Sequence, residues 1–242
     1  MDTFSRTELI FGRDAMEILA NARVAVFGIG GVGGYVVEAL ARSGVGALDL
    51  IDNDKICPSN LNRQIIALHS TIGQYKTEAA KARILDINPA CQVRTHCVFY
   101  LPETAADFDF TQYDYIVDAI DTVTAKIEMA VQANRCHTSM ISSMGTGNKV
   151  DPGAFQVTDI YATSVCPLAR VMRRELKKRG VPSLKVLYSK EMPIMPKQSS
   201  EEQRSAGKKM APGSNAFVPS AAGLMIAGEV IKDLTGIRAT YG

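Results

Sequence analysis

The sequence predicts an α/β fold in which a mainly parallel sheet is covered by helices on both faces. Short apolar runs of strand length alternate along the chain with segments of helical length and period. Strands that alternate with helices at this spacing form parallel sheets with right-handed crossovers. The length of 242 residues suits a single domain, spanning 1–242, with an irregular addition.

The first elements form a unit of strand, turn, helix and strand. An apolar run at 23–27 stops at a glycine cluster, small and apolar residues at 32–41 suit a helix lying on a sheet, and a second strand at 47–51 ends in Asp52 and Asp54. The same reasoning predicts the later elements. Strands are expected at 92–98, 115–118, 139–143, 154–158 and 184–189, and helices at 77–86, 122–135, 167–179 and 217–234.

The segment 193–215 breaks this regularity because it contains almost no large apolar residue. A stretch so rich in Pro, Ser, Gly, Lys and Glu cannot bury enough surface to offset the entropy lost on ordering. We therefore predict a mobile crossover loop at 193–215, followed by a C-terminal helix that packs closely through its alanines and glycines.

Composition narrows the class of protein. No apolar run approaches the roughly 20 residues that span a bilayer, and the polar N-terminus lacks the features of a signal peptide. We expect a soluble, cytoplasmic protein with no membrane partner. The five cysteines form no Cys-x-x-Cys pair, which argues against a disulfide framework or a zinc ribbon. A net charge of +2 is too small to mark the whole chain as a nucleic-acid binder.

A glycine-rich turn predicts a nucleotide site and makes the fold Rossmann-like. The glycines Gly28, Gly30, Gly31 and Gly33 follow a predicted strand and open a predicted helix, and Asp52 ends the next strand. Such a turn lets the backbone approach a phosphate at a helix N-terminus, while the carboxylate accepts hydrogen bonds from ribose hydroxyls. The alternatives are glycines that serve only packing, and a dinucleotide-binding enzyme.

The residues after Asp52 favour ATP over a dinucleotide. Asn60 and Arg63 follow the ribose carboxylate closely, and Lys76 precedes a helix. A guanidinium and an ammonium near a phosphate-binding turn suit neutralisation of a triphosphate attacked at its α-phosphate. Taken alone, Lys76 is better explained as a solvated charge at a helix start and Arg63 as part of a surface ion pair. Their combination with the glycine turn favours the nucleotide.

These motifs together resemble a known superfamily. Their order is similar to the signature of the ubiquitin-activating enzymes and of the bacterial adenylyltransferases of thiamine and molybdopterin synthesis. The motifs are Gly-x-Gly-Gly-x-Gly, Asp-x-Asp-x-x-x-x-Ser-Asn-Leu-x-Arg-Gln and Gly-x-x-Lys. The resemblance implies that Gly30 lies on the phosphates and Asp52 on the ribose, with Asn60, Arg63 and Lys76 on the triphosphate. It also implies a homodimer, in which Arg6 reaches the nucleotide of the neighbouring subunit.

The resemblance gives Asp121 a role in holding Mg²⁺ or orienting the nucleotide. Asp118 and Asp121 also form a carboxylate pair at the end of a predicted strand, which suits a hard cation. Either residue can instead cap the following helix. We favour function for Asp121 and structure for Asp118.

One branch of the superfamily accounts for most of the remaining sequence. The chain lacks the paired zinc cysteines of the sulfur-carrier adenylyltransferases, and 193–215 contains no thioester cysteine. Cys166, the candidate thiol just before Pro167, is better explained as a buried apolar residue. The stretches at 119–126, 158–170 and 219–231 resemble the tRNA threonylcarbamoyladenosine dehydratase branch.

Membership of that branch implies ATP-dependent adenylation of the threonine carboxylate of the modified adenosine beside the tRNA anticodon. An internal nucleophile then expels AMP and closes a cyclic, dehydrated product. The branch further implies a homodimer, a possible monovalent cation (K⁺ or Na⁺) and a possible sulfurtransferase partner. Two alternatives stay open, namely adenylation of the C-terminal glycine of a ubiquitin-like sulfur carrier, and a non-catalytic nucleotide-binding protein or dehydrogenase.

A basic stripe on the predicted helix 167–179 bears on tRNA independently of the resemblance. Its positions repeat at helical spacing, and Leu168, Met172 and Leu176 mark a separate apolar face. Phosphates would relieve the repulsion between stacked like charges, although such a stripe can equally face solvent. The stripe consists of Arg170, Arg173, Arg174, Lys177 and Lys178. A flexible arm carrying Lys197, Arg204, Lys208 and Lys209 is expected to add to it.

Overall fold

A computed structural model describes residues 3–195, 212–238 and 240. Within them, seven strands form one sheet in the order β3-β2-β1-β4-β5-β7-β6. Every neighbouring pair is parallel except β6 and β7, so the predicted mainly parallel sheet is confirmed and ends in one antiparallel strand. The strands are β1 (Arg23–Phe27), β2 (Ala47–Ile51), β3 (Gln92–His96), β4 (Tyr115–Asp118), β5 (Met140–Ser143), β6 (Phe155–Asp159) and β7 (Lys185–Ser189).

Helices cover both faces of this sheet, as predicted. The helices are α1 (Ser5–Phe11), α2 (Arg13–Asn21), α3 (Gly33–Arg42), α4 (Lys76–Ile87), α5 (Val123–Cys136), α6 (Pro167–Lys178) and α7 (Val218–Thr235). One apolar cluster joins the sheet to α3, α4 and α7, and a second joins its other face to α5 and α6. Alternate residues of β1 enter the two clusters, with Val24 and Val26 in the first and Ala25 and Phe27 in the second.

The small residues of α7 permit its close packing on α3. A Cβ added to Gly223 would lie 2.4 Å from the Val32 carbonyl oxygen, so only glycine allows the two helices this separation. This contact explains why the last helix is rich in Ala and Gly. None of the helices in the described ranges is both long and apolar enough to cross a membrane.

The predicted segment 193–215 is only partly described. Residues 196–211 lie outside the described part of the chain, and so does the prediction of their mobility. The ends of the segment are hydrogen-bonded to Asn148, whose backbone oxygen accepts from the Ile194 N–H at 2.7 Å and whose side-chain oxygen accepts from the Gly213 N–H at 2.6 Å. The expected mobility therefore does not extend to these two positions.

Candidate nucleotide-binding site

A cleft of about 320 Å³ opens where β1, β2 and β4 end. The connection after β1 leads to β2 on one side, and β4 lies on the other side, so the order of the strands reverses at this point. Ligands of open α/β sheets bind at such a reversal, outside the carboxyl ends of the strands. The cleft is lined by the glycine turn, the ends of β2 and β4, and the segment around Asn60 and Arg63.

The glycines of the turn have different tasks. Gly28 has φ +89°, and a Cβ on it would lie 2.7 Å from the Ala119 carbonyl oxygen. A Cβ on Gly33 would lie 1.7 Å from the Gly28 oxygen, and Gly33 does not line the cleft. Gly28 and Gly33 therefore allow the turn to form, and the cofactor-binding role of Gly33 stays a prediction from the sequence.

Gly30 and Gly31 lie on the cleft itself. A Cβ on Gly30 would meet nothing nearer than the Gln64 Nε2 atom at 3.9 Å, so the space beside it is open. A Cβ on Gly31 would approach Pro219 at 3.2 Å and Arg63 at 3.4 Å. The open backbone at Gly30 is the feature expected of a turn that receives a phosphate.

Asp52 ends β2 and braces the glycine turn. Its carboxylate accepts hydrogen bonds from the Ile29 N–H at 2.7 Å and the Asp54 N–H at 2.8 Å. Burial raises the pKa of Asp52 above its usual range, although the nearby Lys76 ammonium and both N–H donors act in the opposite direction. Asp52 is thus a partly desolvated acceptor at the position predicted for the ribose.

Lys76 lies near the Asp52 carboxylate because backbone contacts join the two ends of the loop between these residues. An isolated bridge joins Lys55 to Tyr75, and the Lys76 N–H donates to the Asp54 carbonyl oxygen at 3.0 Å. The Lys76 ammonium then lies 2.6 Å from an Asp54 carboxylate oxygen and 3.8 Å from one of Asp52. Lys76 is 6% exposed, so it is a buried, paired cation and not a solvated charge at the start of a helix.

Another part of the cleft lining is a single turn of the chain that contains Asn60 and Arg63. Asn60 is buried, and its side-chain oxygen accepts from the Cys57 N–H at 3.1 Å. The Arg63 guanidinium donates to the Ser59 carbonyl oxygen at 2.8 Å and to the Asn62 side chain at 2.9 Å. No carboxylate in the described residues pairs with Arg63, so its positive charge is available to an anion in the cleft.

Asp118, which ends β4, and Asp121, which follows it, lie in different environments. Asp118 is fully buried and bound to Lys126 and Ser142, whereas Asp121 is exposed and lines the cleft. The described chain holds no cluster of three or more His, Cys, Asp or Glu side chains able to bind a metal alone. One carboxylate facing a phosphate site still fits Mg²⁺, which commonly takes one or two protein oxygens and completes its shell with phosphates and water.

The cleft also has lining residues that were not predicted from the sequence, among them Gln64 and the segment after β3. Gln64 lines the cleft at 6% exposure, and its side-chain oxygen has no hydrogen-bond partner among the described residues. Val98, Phe99 and Tyr100, which follow β3, form an apolar wall. The Gln64 signal was present, since Gln64 directly follows Arg63 in the motif. The wall carries no local signal because it depends on how β3 pairs with β2.

Arg6 lies apart from the cleft of its own chain. It is exposed on α1, and it does not line the cleft. The neighbouring Phe4 packs near Gly44, in the turn between α3 and β2. Since β2 begins just after this turn, α1 lies near the end of the sheet at which the parallel strands begin, whereas the nucleotide cleft lies where they end. The predicted action of Arg6 on a nucleotide therefore requires a second subunit.

The predicted basic stripe on α6 is less uniform than its spacing suggested. Arg173 is half-buried and donates to the Thr163 carbonyl oxygen at 3.0 Å and to the Thr163 hydroxyl, so it anchors the preceding loop. Arg174 and Lys178 lie 3.0 Å and 3.3 Å from the same Glu175 carboxylate oxygen. These cations, with Arg179, lower the pKa of Glu175 to about 2.

Only part of the predicted tRNA surface is thus free in the described chain. Arg170 and Lys177 are exposed on α6. Neither side chain has a hydrogen-bonding or ion-pair partner within the residues described. Cys166, just before α6, is buried as predicted. The proposed arm residues Lys197, Arg204, Lys208 and Lys209 lie outside the described residues.

Comparison with known proteins adds to this geometry. A family model described as the ThiF family matches residues 4–241. The tRNA threonylcarbamoyladenosine dehydratase of Bacillus subtilis (strain 168) is 45% identical over 238 residues, covering 96% of this chain and 94% of the relative. A crystal structure of the Escherichia coli tRNA N6-threonylcarbamoyladenosine dehydratase with ATP has a TM-score of 0.87 at 32% identity, covering 97% of this chain and 94% of that one. The complex of the same enzyme with AMP has a TM-score of 0.87 at 33% identity, with the same coverage.

Proposed function

We propose a function on the premise that this chain belongs to the ThiF family. It is an ATP-dependent dehydratase that adenylates the threonine carboxylate of N6-threonylcarbamoyladenosine in tRNA and promotes cyclisation of this group. Support comes from a relative of nearly equal length that carries the name of this activity, and from solved structures of a similar enzyme with ATP and with AMP.

The single observation that carries the proposal is the convergence of an open glycine turn and two cations on one cleft. Gly30 leaves room for a phosphate, the buried Lys76 stands beside Asp52 and Asp54, and Arg63 has no carboxylate partner among the residues described. Positive charge held in place before the reaction stabilises the charge that develops on a triphosphate under attack. A dehydrogenase would not need these cations.

The proposed chemistry has two steps. A threonine carboxylate oxygen attacks the α-phosphorus of ATP, and pyrophosphate leaves, which forms an acyl adenylate. A nucleophilic atom of the same modified base then attacks the activated carbonyl carbon, AMP leaves, and the ring closes with net loss of one water from the tRNA. In this scheme the chain supplies no covalent nucleophile, and its residues bind and orient the reactants.

The individual roles are proposals for this chain. Gly28, Gly30 and Gly31 would cradle the phosphates, with Asp52 on the ribose. Asn60, Arg63 and Lys76 would hold the triphosphate, with Asp54 fixing the Lys76 ammonium. Asp121 would hold Mg²⁺, which supplies charge neutralisation on the phosphates when it is bound.

The proposed partners follow from the same premise. The tRNA anticodon loop would contact α6 through Arg170 and Lys177, and a homodimer would bring Arg6 to the neighbouring nucleotide. A K⁺ or Na⁺ ion and a sulfurtransferase partner are expectations from the resemblance, and a cytoplasmic location is an expectation from the sequence.

The test is mass spectrometry of the tRNA product. Purified protein incubated with ATP, Mg²⁺ and tRNA bearing threonylcarbamoyladenosine should release AMP and reduce the mass of the modified nucleoside by one water. Arg63→Ala and Lys76→Ala should abolish the change while the variants stay folded. No loss of water with the wild-type protein would contradict the proposal, and pyrophosphate exchange that requires a ubiquitin-like sulfur carrier would instead favour the alternative substrate.

A further inference from the structure

A buried ion pair lies directly beneath the cleft wall formed by residues 119–122. Asp118 at the end of β4, Lys126 in α5 and Ser142 in β5 are each 0% exposed. The Lys126 ammonium lies 2.9 Å from the Asp118 carboxylate, whose other oxygen accepts from the Ser142 hydroxyl at 2.5 Å. None of the three side chains lines the cleft.

The pair holds both hydrogen-bonding groups of the Ile120 backbone. The Ile120 N–H donates to Asp118 at 3.2 Å, and the Lys126 ammonium donates to the Ile120 carbonyl oxygen at 2.9 Å. Ile120 lines the cleft and directly precedes Asp121, the carboxylate to which we assign Mg²⁺. Asp121 itself is exposed, and the described hydrogen bond to its carboxylate comes only from the Thr122 hydroxyl at 3.4 Å.

A buried ion pair is a poor way to stabilise a fold, because apolar residues of the same volume commonly serve equally well or better. The use of an ammonium here has a more specific explanation. Lys126 connects a fixed strand end to the carbonyl before Asp121, and it thereby limits where that exposed carboxylate can lie. Groups that orient a metal ligand from behind affect metal affinity without touching the ion.

We propose that Lys126 is a positioning residue that acts through the Ile120 backbone to place Asp121 for the ATP-bound metal ion. This inference rests on the proposed role of Asp121 in the adenylation site. It assigns a task to a buried lysine that neither the nucleotide motif nor the cleft lining includes.

The test separates metal binding from nucleotide binding. Lys126→Met should leave the affinity for ATP without metal within about threefold of the wild-type value, since Asp52 and the glycine turn are unchanged. Titration of the ATP-loaded protein with Mg²⁺ should require about tenfold to 100-fold more Mg²⁺ for half-saturation, the range that loss of such an orienting group produces. The kcat for AMP release should fall in parallel.

Lys149→Met is the matched control. Lys149 is also buried and also donates to a backbone carbonyl, that of Glu191 at 2.6 Å, but it does not hold the 119–122 segment. It should lower thermal stability without changing the Mg²⁺ titration. Lys126→Met leaves the buried Asp118 carboxylate without its ion-pair partner. The double variant Asp118→Asn/Lys126→Met also removes that charge, and it should show the same increase in Mg²⁺ requirement.

Two results would overturn the inference. One is a Mg²⁺ titration for Lys126→Met that matches that of Lys149→Met, and the other is a metal-free ATP affinity that falls as far as the kcat does. If Lys126→Met does not fold, the double variant decides. A wild-type protein that binds Mg²⁺ and ATP but leaves modified tRNA unchanged would refute the proposed function, while the titration would still test Lys126.

Discussion

At the scale of single residues, a motif does not reveal which of its members face a ligand. All four glycines of the turn were assigned to the nucleotide from the sequence. A Cβ on Gly33 would nevertheless meet a backbone oxygen at 1.7 Å, whereas the nearest atom to a Cβ on Gly30 would lie at 3.9 Å. The difference depends on where Gly28 O and the cleft lie in space. Local sequence contains no such information.

This contrast yields a paired prediction. Gly33→Ala should lower the free energy of unfolding by about 3 kcal/mol or more, since its clash is with backbone. Gly30→Ala should leave it unchanged or raise it by up to about 1 kcal/mol, because the new methyl group enters open space and reduces the entropy of the unfolded chain.

Gly30→Ala, the variant that should keep its stability, should lose affinity for ATP. Gly30→Ala places a methyl group where a phosphate is expected, so the affinity for ATP should fall about tenfold or more, equivalent to about 1.4 kcal/mol. Denaturant unfolding and calorimetry measure the two quantities. An unchanged affinity of Gly30→Ala for ATP would show that no phosphate binds at this turn.

The raised pKa of Asp52 gives a pH-dependent prediction. Ribose hydroxyls donate to the ionised carboxylate, and burial favours its protonated form. The affinity for adenosine should therefore fall as the pH is lowered, and the fall should begin at a higher pH than the ordinary aspartate pKa of about 3.9 implies. Adenosine is the suitable probe because it has no phosphate that titrates.

Asp52→Asn provides the control for this pH dependence. Its affinity for adenosine should be low at every pH, because the amide supplies one acceptor oxygen in place of a charged carboxylate. An affinity in the wild-type protein that stays constant down to the ordinary aspartate range would show that Asp52 does not contact the ribose.

At the scale of elements, helices and strands were predicted well where their burial pattern is local. The limits of β1, β2 and β4 agree with the sequence prediction, because these strands are almost wholly buried and bounded by polar or glycine residues. The direction of β6 was not predictable, since antiparallel pairing depends on β7, which lies more than twenty residues away. The short helices α1 and α2 carry few buried residues, and neither was predicted.

For helix α6, the sequence predicted the structure better than it predicted which side chains are free to bind a partner. Its periodicity predicted a helix and one apolar face, and Met172 and Leu176 are indeed buried. Glu175, however, lies beside the basic face, within reach of Lys178 and Arg179 by helical spacing, and its carboxylate also pairs with the adjacent Arg174. The pairing of Glu175 with Lys178 and Arg179 could have been predicted from the sequence, whereas the hydrogen bonds from Arg173 to Thr163 could not.

The tRNA prediction for α6 therefore rests on its two free cations. Arg170→Gln/Lys177→Gln should weaken tRNA binding and reduce the slope of log affinity against log salt by up to about 2, since each lost phosphate contact removes about 0.7 to 0.9. ATP affinity should not change. Arg173→Ala should lower the thermal unfolding temperature, because it removes the anchor of the loop at Thr163.

Removal of the same charge elsewhere controls for the effect of net charge. Arg13→Gln/Arg42→Gln takes two positive charges from α2 and α3, where Arg13 pairs with Glu17 and Arg42 with Glu38. If this variant loses as much tRNA affinity as the α6 variant, the interaction is non-specific and α6 is not the contact surface.

At the scale of the whole molecule, the position of α1 makes subunit association a requirement of the proposed site. Helix α1 buries none of its own residues in the chain, and Leu9 and Ile10 are 87% and 77% exposed. Neighbouring exposed apolar residues of this size are typical of interaction surfaces. Arg6 lies on the same helix, so the contact that covers Leu9 and Ile10 would also position Arg6 against the partner.

Leu9→Glu/Ile10→Glu should therefore convert the proposed dimer into a folded monomer, as measured by sedimentation velocity. Substitutions at such exposed positions usually change the stability of the chain by no more than about 0.5 kcal/mol, so unfolding should not be the cause. AMP release by the monomer should fall to the level of Arg6→Ala, since both variants deprive the cleft of the same guanidinium. Val150→Glu, at a residue that is 55% exposed after β5, is the matched control and should remain dimeric and active. A Leu9→Glu/Ile10→Glu protein that stays dimeric would place the interface elsewhere, and a monomer with full activity would show that Arg6 is not needed at the nucleotide.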